Sequence, residues 1–179
     1  MTALGHPDTA DQAGAAPRFP LGILPTPLVG ASRLGARLGI DLMVKRDDLI
    51  GFAQAGTKTR ALEVLLADAR AQGCDCLVGC GGPESNFLPA VAAAARVAGM
   101  DSHLVCSGDQ PVGPTPPNVA LARAWGATMT FTGDPDREGV EAAADAYAAT
   151  LVASGRRPYV LPRGGATAVG VTGAARAVT

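Results

Sequence analysis

Between residues 58 and 73 the stretch KTRALEVLLADARAQG carries apolar side chains at 61, 62, 65, 66 and 69. That three-and-four spacing predicts an amphipathic helix, with Gly73 placed to close it. Upstream, LGILPTPLVGASRLGARLG predicts a turn at Pro25–Pro27 and a short helix closed by Gly39, and DLMVKRDDL is strand-like before a loop over 49–57. Downstream, CLVGC is a short apolar run between turn residues, as in a buried strand. ESNFLPAVAAAARVAG follows a glycine turn as a second helix, with Pro89 inside the first turn, where proline is tolerated.

The pattern then repeats its alternation. SHLVC predicts a strand, a Pro/Gly-rich loop fills 108–117, NVALARAWG predicts a helix ending at Gly126, and TMTFT predicts a strand. DREGVEAAADAYAATLVAS predicts a long helix and PYVLP a last strand. The glycine-rich RGGATAVGVTG runs into the start of another helix. Strand and helix alternating at short spacing predict an α/β fold, a parallel sheet with helices on both faces. The first residues, MTALGHPDTADQAGAAPR, lack an apolar core and read as a leader over 1–18.

Composition narrows the function classes. The 179 residues are 47% hydrophobic and 17% charged, with mean hydropathy +0.20 and net charge −1. No basic stripe forms and only 4% of residues are aromatic, which argues against nucleic acid or an anionic membrane as a partner. No apolar run reaches membrane-spanning length, so the expected compartment is cytoplasmic. Cys74, Cys76, Cys80 and Cys106 form no C-x-x-C pair and have no histidine beside the cluster, so they read as small buried thiols and no metal is expected. His6 falls in the leader and His103 in a strand-like stretch, neither with a partner that would make it a base.

Two places carry chemistry. In GFAQAGTKTR, Lys58 opens a helix, where a cation meets the positive end of the dipole. A phosphate-loop reading fails, because Thr57 intervenes between Gly56 and the lysine and the preceding VKRDDL is charged. The plain alternative makes Thr57 the helix cap, with Lys58, Arg60 and Glu63 on the surface. The chemical alternative is that dipole and partial burial favour a neutral amine, a nucleophile toward an aldehyde. The second place is GCGGPESNF, where Gly81, Gly82, Ser85 and Asn86 lie at a strand-to-helix turn suited to an anion such as a carboxylate. There too a plain alternative stands, with Ser85 or Asn86 as the cap.

Taken in order, VKRDDLIGFAQAGTKTRALEVLLADARAQGCDCLVGCGGPESN resembles the 1-aminocyclopropane-1-carboxylate deaminase/D-cysteine desulfhydrase family, with K-R-[DE]-D, G-x-K-x-R-x-L-E and a glycine turn. TPL at 26–28, PPNVALARAWGA and PYVLPRGGATAVGVTG extend the resemblance over about residues 19–179. It implies a pyridoxal 5'-phosphate (PLP) enzyme of the tryptophan-synthase-β-like fold (fold type II). Lys58 would be the Schiff-base lysine and proton carrier, and Asn86 would hydrogen-bond the phenolic oxygen of the cofactor. Ser85, with Asn86 and the backbone at Gly82, would hold the substrate carboxylate, and Gly164 and Gly165 would return to the site. The implied division is an opening segment of the large lobe over 19–59, a small α/β lobe over 60–157 and a return segment over 158–179.

Three departures accompany the resemblance. Glu84 stands where the family has Gln, and Phe87 stands where His or Thr is common, which would alter the pocket wall. The family's phosphate-cradling loop lies further along than this chain reaches, so the implied object is an N-terminal half. Three functions follow as expectations. The first is a PLP-dependent lyase or deaminase of a small amino acid, incomplete as this chain and paired as a homo-oligomer or with a C-terminal half. The others are a non-catalytic partner-binding remnant and a small-ligand-binding domain.

Overall fold

The computed structural model describes residues 17–136, 138–175 and 177, so most of the expected leader, His6 included, lies outside them. Among these residues six strands and six α-helices follow in the order β1 (Leu28–Gly30), α1 (Ser32–Leu38), β2 (Met43–Lys45), α2 (Lys58–Ala71), β3 (Cys76–Gly81), α3 (Phe87–Ala98), β4 (Asp101–Cys106), α4 (Pro117–Ala124), β5 (Thr128–Phe131), α5 (Gly139–Ala153), β6 (Pro158–Leu161) and α6 (Ala168–Ala175). Four strands form a parallel sheet in the order β5-β4-β3-β6. This is the expected α/β architecture.

Successive strand residues point to opposite faces, and the sheet is covered on both. Leu77, Leu104 and Cys106 join the core under α2, α3 and α4. Val78, Cys80 and Val105 join a second core with Val140, Ala144 and Ala148 of α5. Helix α3 is buried at every position from Phe87 to Ala95. It lies on β3 and β4 with α2 and α4 alongside, and five alanines among those positions let these neighbours approach closely.

Two local readings change. The region read as a turn before α1 contains β1, which pairs antiparallel with β2 as a separate two-stranded sheet. Three-residue strands lie below the length at which periodicity shows. Helix α5 begins at Gly139, later than the sequence pattern suggested. Asp134 Oδ1 accepts the Asp136 amide (2.8 Å) and Asp136 Oδ1 accepts that of Glu138 (3.1 Å), so these side chains hold the backbone in turns instead.

Candidate active site

A helix that leads into a strand of a parallel sheet runs opposite to it, so the start of α2 and the turn after β3 share the carboxyl edge of the sheet. β3 is also where the strand order reverses, with β4 on one side and β6 on the other. Ligands in open α/β sheets bind in the crevice at such a reversal. Here a cleft of about 290 Å³ is lined by Cys80, Gly81, Gly82, Glu84 and Ser85 from the β3 side and by Arg163 from the turn after β6. The geometry therefore collects the sequence-predicted Gly82 and Ser85 at one crevice.

Gly81 allows the turn to close. A Cβ there would lie 3.2 Å from the Ser85 side chain and 3.6 Å from Leu88. Ser85 Oγ accepts the Phe87 amide (3.3 Å), which leaves its O–H free to donate. Asn86 is the residue before α3, but its side chain does not cap the helix; its Oδ1 accepts Asn118 Nδ2 at 2.9 Å. Phe87 is 4% exposed and packs in the core, so this departure from the family pattern fills the interior and not the pocket wall. Glu84 is exposed at the cleft.

Lys58 is the first residue of α2 and its side chain is exposed, so this chain does not supply the partial burial expected of it. Its neighbour is the turn after β6: a Cβ on Gly164 would lie 3.1 Å from Lys58 Nζ. Gly164 has φ +68, and the absence of a side chain there leaves room at the amine. Gly165 is buried, and a Cβ on it would lie 3.1 Å from Leu65 and 3.2 Å from the Phe87 ring. The 163–165 turn thus sits against the start of α2 through Gly164, against α3 through Gly165, and on the cleft through Arg163. The chain has two lysines, and Lys45 donates to the Thr26 carbonyl at 2.8 Å.

Sequence reasoning missed what holds Lys58 in place. Thr57 makes no side-chain capping bond. Arg60 and Glu63, expected on the surface, are 5% and 2% exposed. Arg60 donates to both carboxylate oxygens of Asp47 (Nε to Oδ2 and Nη2 to Oδ1, each 2.8 Å), and Thr26 Oγ1 donates to the same carboxylate at 2.6 Å. The Arg60 hydrogen bonds hold the Asp47 carboxyl below its ordinary range, against the opposing effect of burial. Glu63 accepts the amides of Leu21 (2.9 Å) and Gly22 (3.1 Å) and pairs with Arg18 at 3.1 Å. One sequence signal was available: these are opposite charges on strand-like and helical stretches of a charge-poor chain.

The remaining candidates stay outside the site's chemistry. Burial pushes the Cys80 thiol up to about 11, and those of Cys76 and Cys106 to about 12 and about 11, so all three are inert thiols at neutral pH. His103 is half-buried on β4 with Nδ1 3.3 Å from the Tyr147 hydroxyl, and burial lowers its pKa. Among the described residues no group of three or more His, Cys, Asp and Glu side chains is placed to hold a metal, and no helix is long and apolar enough to cross a membrane.

Comparison with known proteins places this geometry. The family model for pyridoxal-phosphate dependent enzymes matches residues 19–178. The chain belongs to that family. A putative 1-aminocyclopropane-1-carboxylate deaminase of Pyrococcus abyssi is 34% identical over 174 residues, covering 97% of this chain and 52% of the relative. The 1-aminocyclopropane-1-carboxylate deaminase of Burkholderia cenocepacia is 39% identical over 155 residues, covering 83% and 46%. The crystal structure of an ACC deaminase homologue matches with a TM-score of 0.79 at 34% identity, covering 90% of this chain and 49% of that one. Maize serine racemase, at 19% identity and a TM-score of 0.61, shares the fold. The fold is therefore fold type II, as the resemblance implied, and the chain spans about half the length of the curated relatives it matches.

The family's cofactor is PLP. The residues present fit it in two respects: Gly164 leaves the Lys58 amine open to approach, and Asn86 Nδ2 makes no hydrogen bond among the described residues, leaving a donor beside the cleft.

Proposed function

We propose that this chain carries the lysine-bearing half of a PLP-dependent lyase or deaminase acting on a small amino acid. The observation that carries it is that the 163–165 turn meets Lys58 through Gly164 and the cleft beside Gly82 and Ser85 through Arg163. Lys58 would hold the cofactor through its amine and carry a proton at the substrate: at the α carbon of an amino acid with an α hydrogen, such as cysteine, and at a ring methylene of 1-aminocyclopropane-1-carboxylate, whose α carbon bears none. The cofactor, when bound, supplies an electron sink for the pair released at the substrate carbon. Asn86 Nδ2 would donate to the phenolic oxygen of the cofactor. The Ser85 O–H and the turn's backbone N–H groups would orient the substrate carboxylate, with Asn86 and Gly82 beside it. Gly164 would bring backbone close to the ligand without a side chain in the way, and Gly165, buried against Leu65 and Phe87, would seat the turn behind it.

The relatives named 1-aminocyclopropane-1-carboxylate deaminase favour ring-opening deamination, with D-cysteine desulfhydration the closest alternative in chemistry. We assign the opening segment over 19–59 and the return segment over 158–179 to the larger lobe of the whole enzyme, around a small lobe over 60–157. Pairing, with a C-terminal half or a second copy, is supported by the apolar surface on the opening segment. Ile23, Leu28, Leu34, Leu38 and Ile40 are each more than half exposed. The small amino acid is the other proposed partner, with no nucleic acid and no membrane, in the cytoplasm. A partner-binding domain without catalysis is the second reading, supported by the same surface. Supplying a C-terminal half from the Burkholderia relative and measuring oxo-acid release from each amino acid separates the two. Turnover that Lys58→Ala abolishes supports the enzyme, and a complex that forms without taking up PLP supports the binding domain.

A further inference from the structure

Asn118, the second residue of α4, lies in the family-like segment PPNVALARAWGA, but the resemblance assigns it no role. Its side-chain Nδ2 lies 2.9 Å from the Glu84 carbonyl oxygen and 2.9 Å from Asn86 Oδ1. A backbone carbonyl only accepts, so the Asn118 atom facing it must be the –NH₂ group. The second hydrogen of that group then needs an acceptor on Asn86, which fixes the Asn86 amide with Oδ1 toward α4 and Nδ2 turned away. A reversed Asn86 would set two –NH₂ groups against each other and leave Asn118 with the Glu84 carbonyl as its one acceptor there.

We propose that Asn118 is a positioning residue, one that orients the Asn86 amide so that a donor rather than an acceptor faces the crevice. The inference rests on the reading above that Asn86 meets the phenolic oxygen of PLP. With Nδ2 forward, that oxygen receives a hydrogen bond that favours its ionised form; with Oδ1 forward, two acceptors would face each other. Asn118 also ties α4 to the 82–86 turn through the Glu84 carbonyl, so one side chain sets both the path of the turn and the sense of the amide.

The chain contains two asparagines, Asn86 and Asn118, which makes their side-chain amide signals separable by ¹⁵N NMR. In the 179-residue chain without cofactor, the Asn118 –NH₂ protons should exchange slowly and those of Asn86 rapidly. Asn118→Asp turns the donor into an acceptor, so the Asn86 amide should rotate and its proton exchange should slow about tenfold. Asn118→Ala should leave the Asn86 protons fast, which separates reorientation from loss of structure. Unchanged Asn86 exchange in Asn118→Asp overturns the proposal whether or not PLP binds. With PLP and a C-terminal half supplied, the visible band and its pH midpoint in Asn118→Asp should move as they do in Asn86→Ala. A band that moves in Asn86→Ala and stays in Asn118→Asp also overturns it. Absence of any band in the unsubstituted protein sinks the enzyme reading instead, and the NMR result still decides the orientation of the amide.

Discussion

Arg60 and Asp47 form a bidentate pair with side chains 6% and 9% exposed, two residues along the helix from Lys58. Removing one partner strips a buried charge of its hydrogen-bonded counter-charge, so Arg60→Ala should cost about 3–5 kcal/mol in urea unfolding. Asp47→Asn should cost less, because the amide keeps an acceptor for Thr26 and Arg60. The pH dependence has a definite sign. Asp47 has a folded pKa below its unfolded value, so its contribution is fully present above about pH 4 and is lost as pH falls through the folded pKa. Unfolding midpoints measured from pH 6 downward should show this acid loss in the unsubstituted chain and a smaller one in Asp47→Asn. Lys58 could be singled out in the sequence because a lysine at a helix start defies the dipole. Arg60 and Glu63 could not, since a charged helical residue reads as solvated until its partners, 13 and more than 40 residues away, are known.

The elements were the most legible part. All four strands of the parallel sheet and the helices α2 to α5 follow from apolar runs and 3.6-residue spacing, because both faces of the sheet are buried and each helix has a core side. Of the β1–β2 pair, β2 was legible in the strand-like DLMVKRDDL, whereas β1 was not, being three residues long and exposed throughout. Helix α6 showed in the sequence only as a beginning, and its packing could not be read from periodicity. It lies along α2, where a Cβ on Gly173 would fall on the Arg60 carbonyl and one on Gly170 on the Gly165 carbonyl. Gly173→Ala should therefore push α6 away from α2 and lower stability by about 1–3 kcal/mol, seen as a lower melting temperature. Because α2 begins with Lys58, the same substitution should weaken PLP uptake more than a surface Gly→Ala such as Gly139→Ala, where a Cβ meets nothing within 4 Å.

At the scale of the whole molecule, the proposed cofactor site shares the chain with an apolar surface formed by Ile23, Leu28, Leu34, Leu38 and Ile40. The turn residues Gly82, Ser85 and Asn86 and the lysine were visible as separate motifs; their convergence depends on strand order, which places β6 beside β3 and so brings the 163–165 turn to Lys58. Strand order is a long-range property that local pattern does not carry. On the proposed reading, Lys58 is the residue that anchors the cofactor. The chain's composition makes this directly testable, because Lys45 is the sole other lysine and its ammonium is bound to the Thr26 carbonyl. Mixing the chain with PLP and a supplied C-terminal half, reducing with borohydride and mapping the peptides by mass is the most direct measurement. The pyridoxyl mass should appear on the peptide containing Lys58 and be lost in Lys58→Ala; label on Lys45 alone, or no label at all, would contradict Lys58 as the anchor.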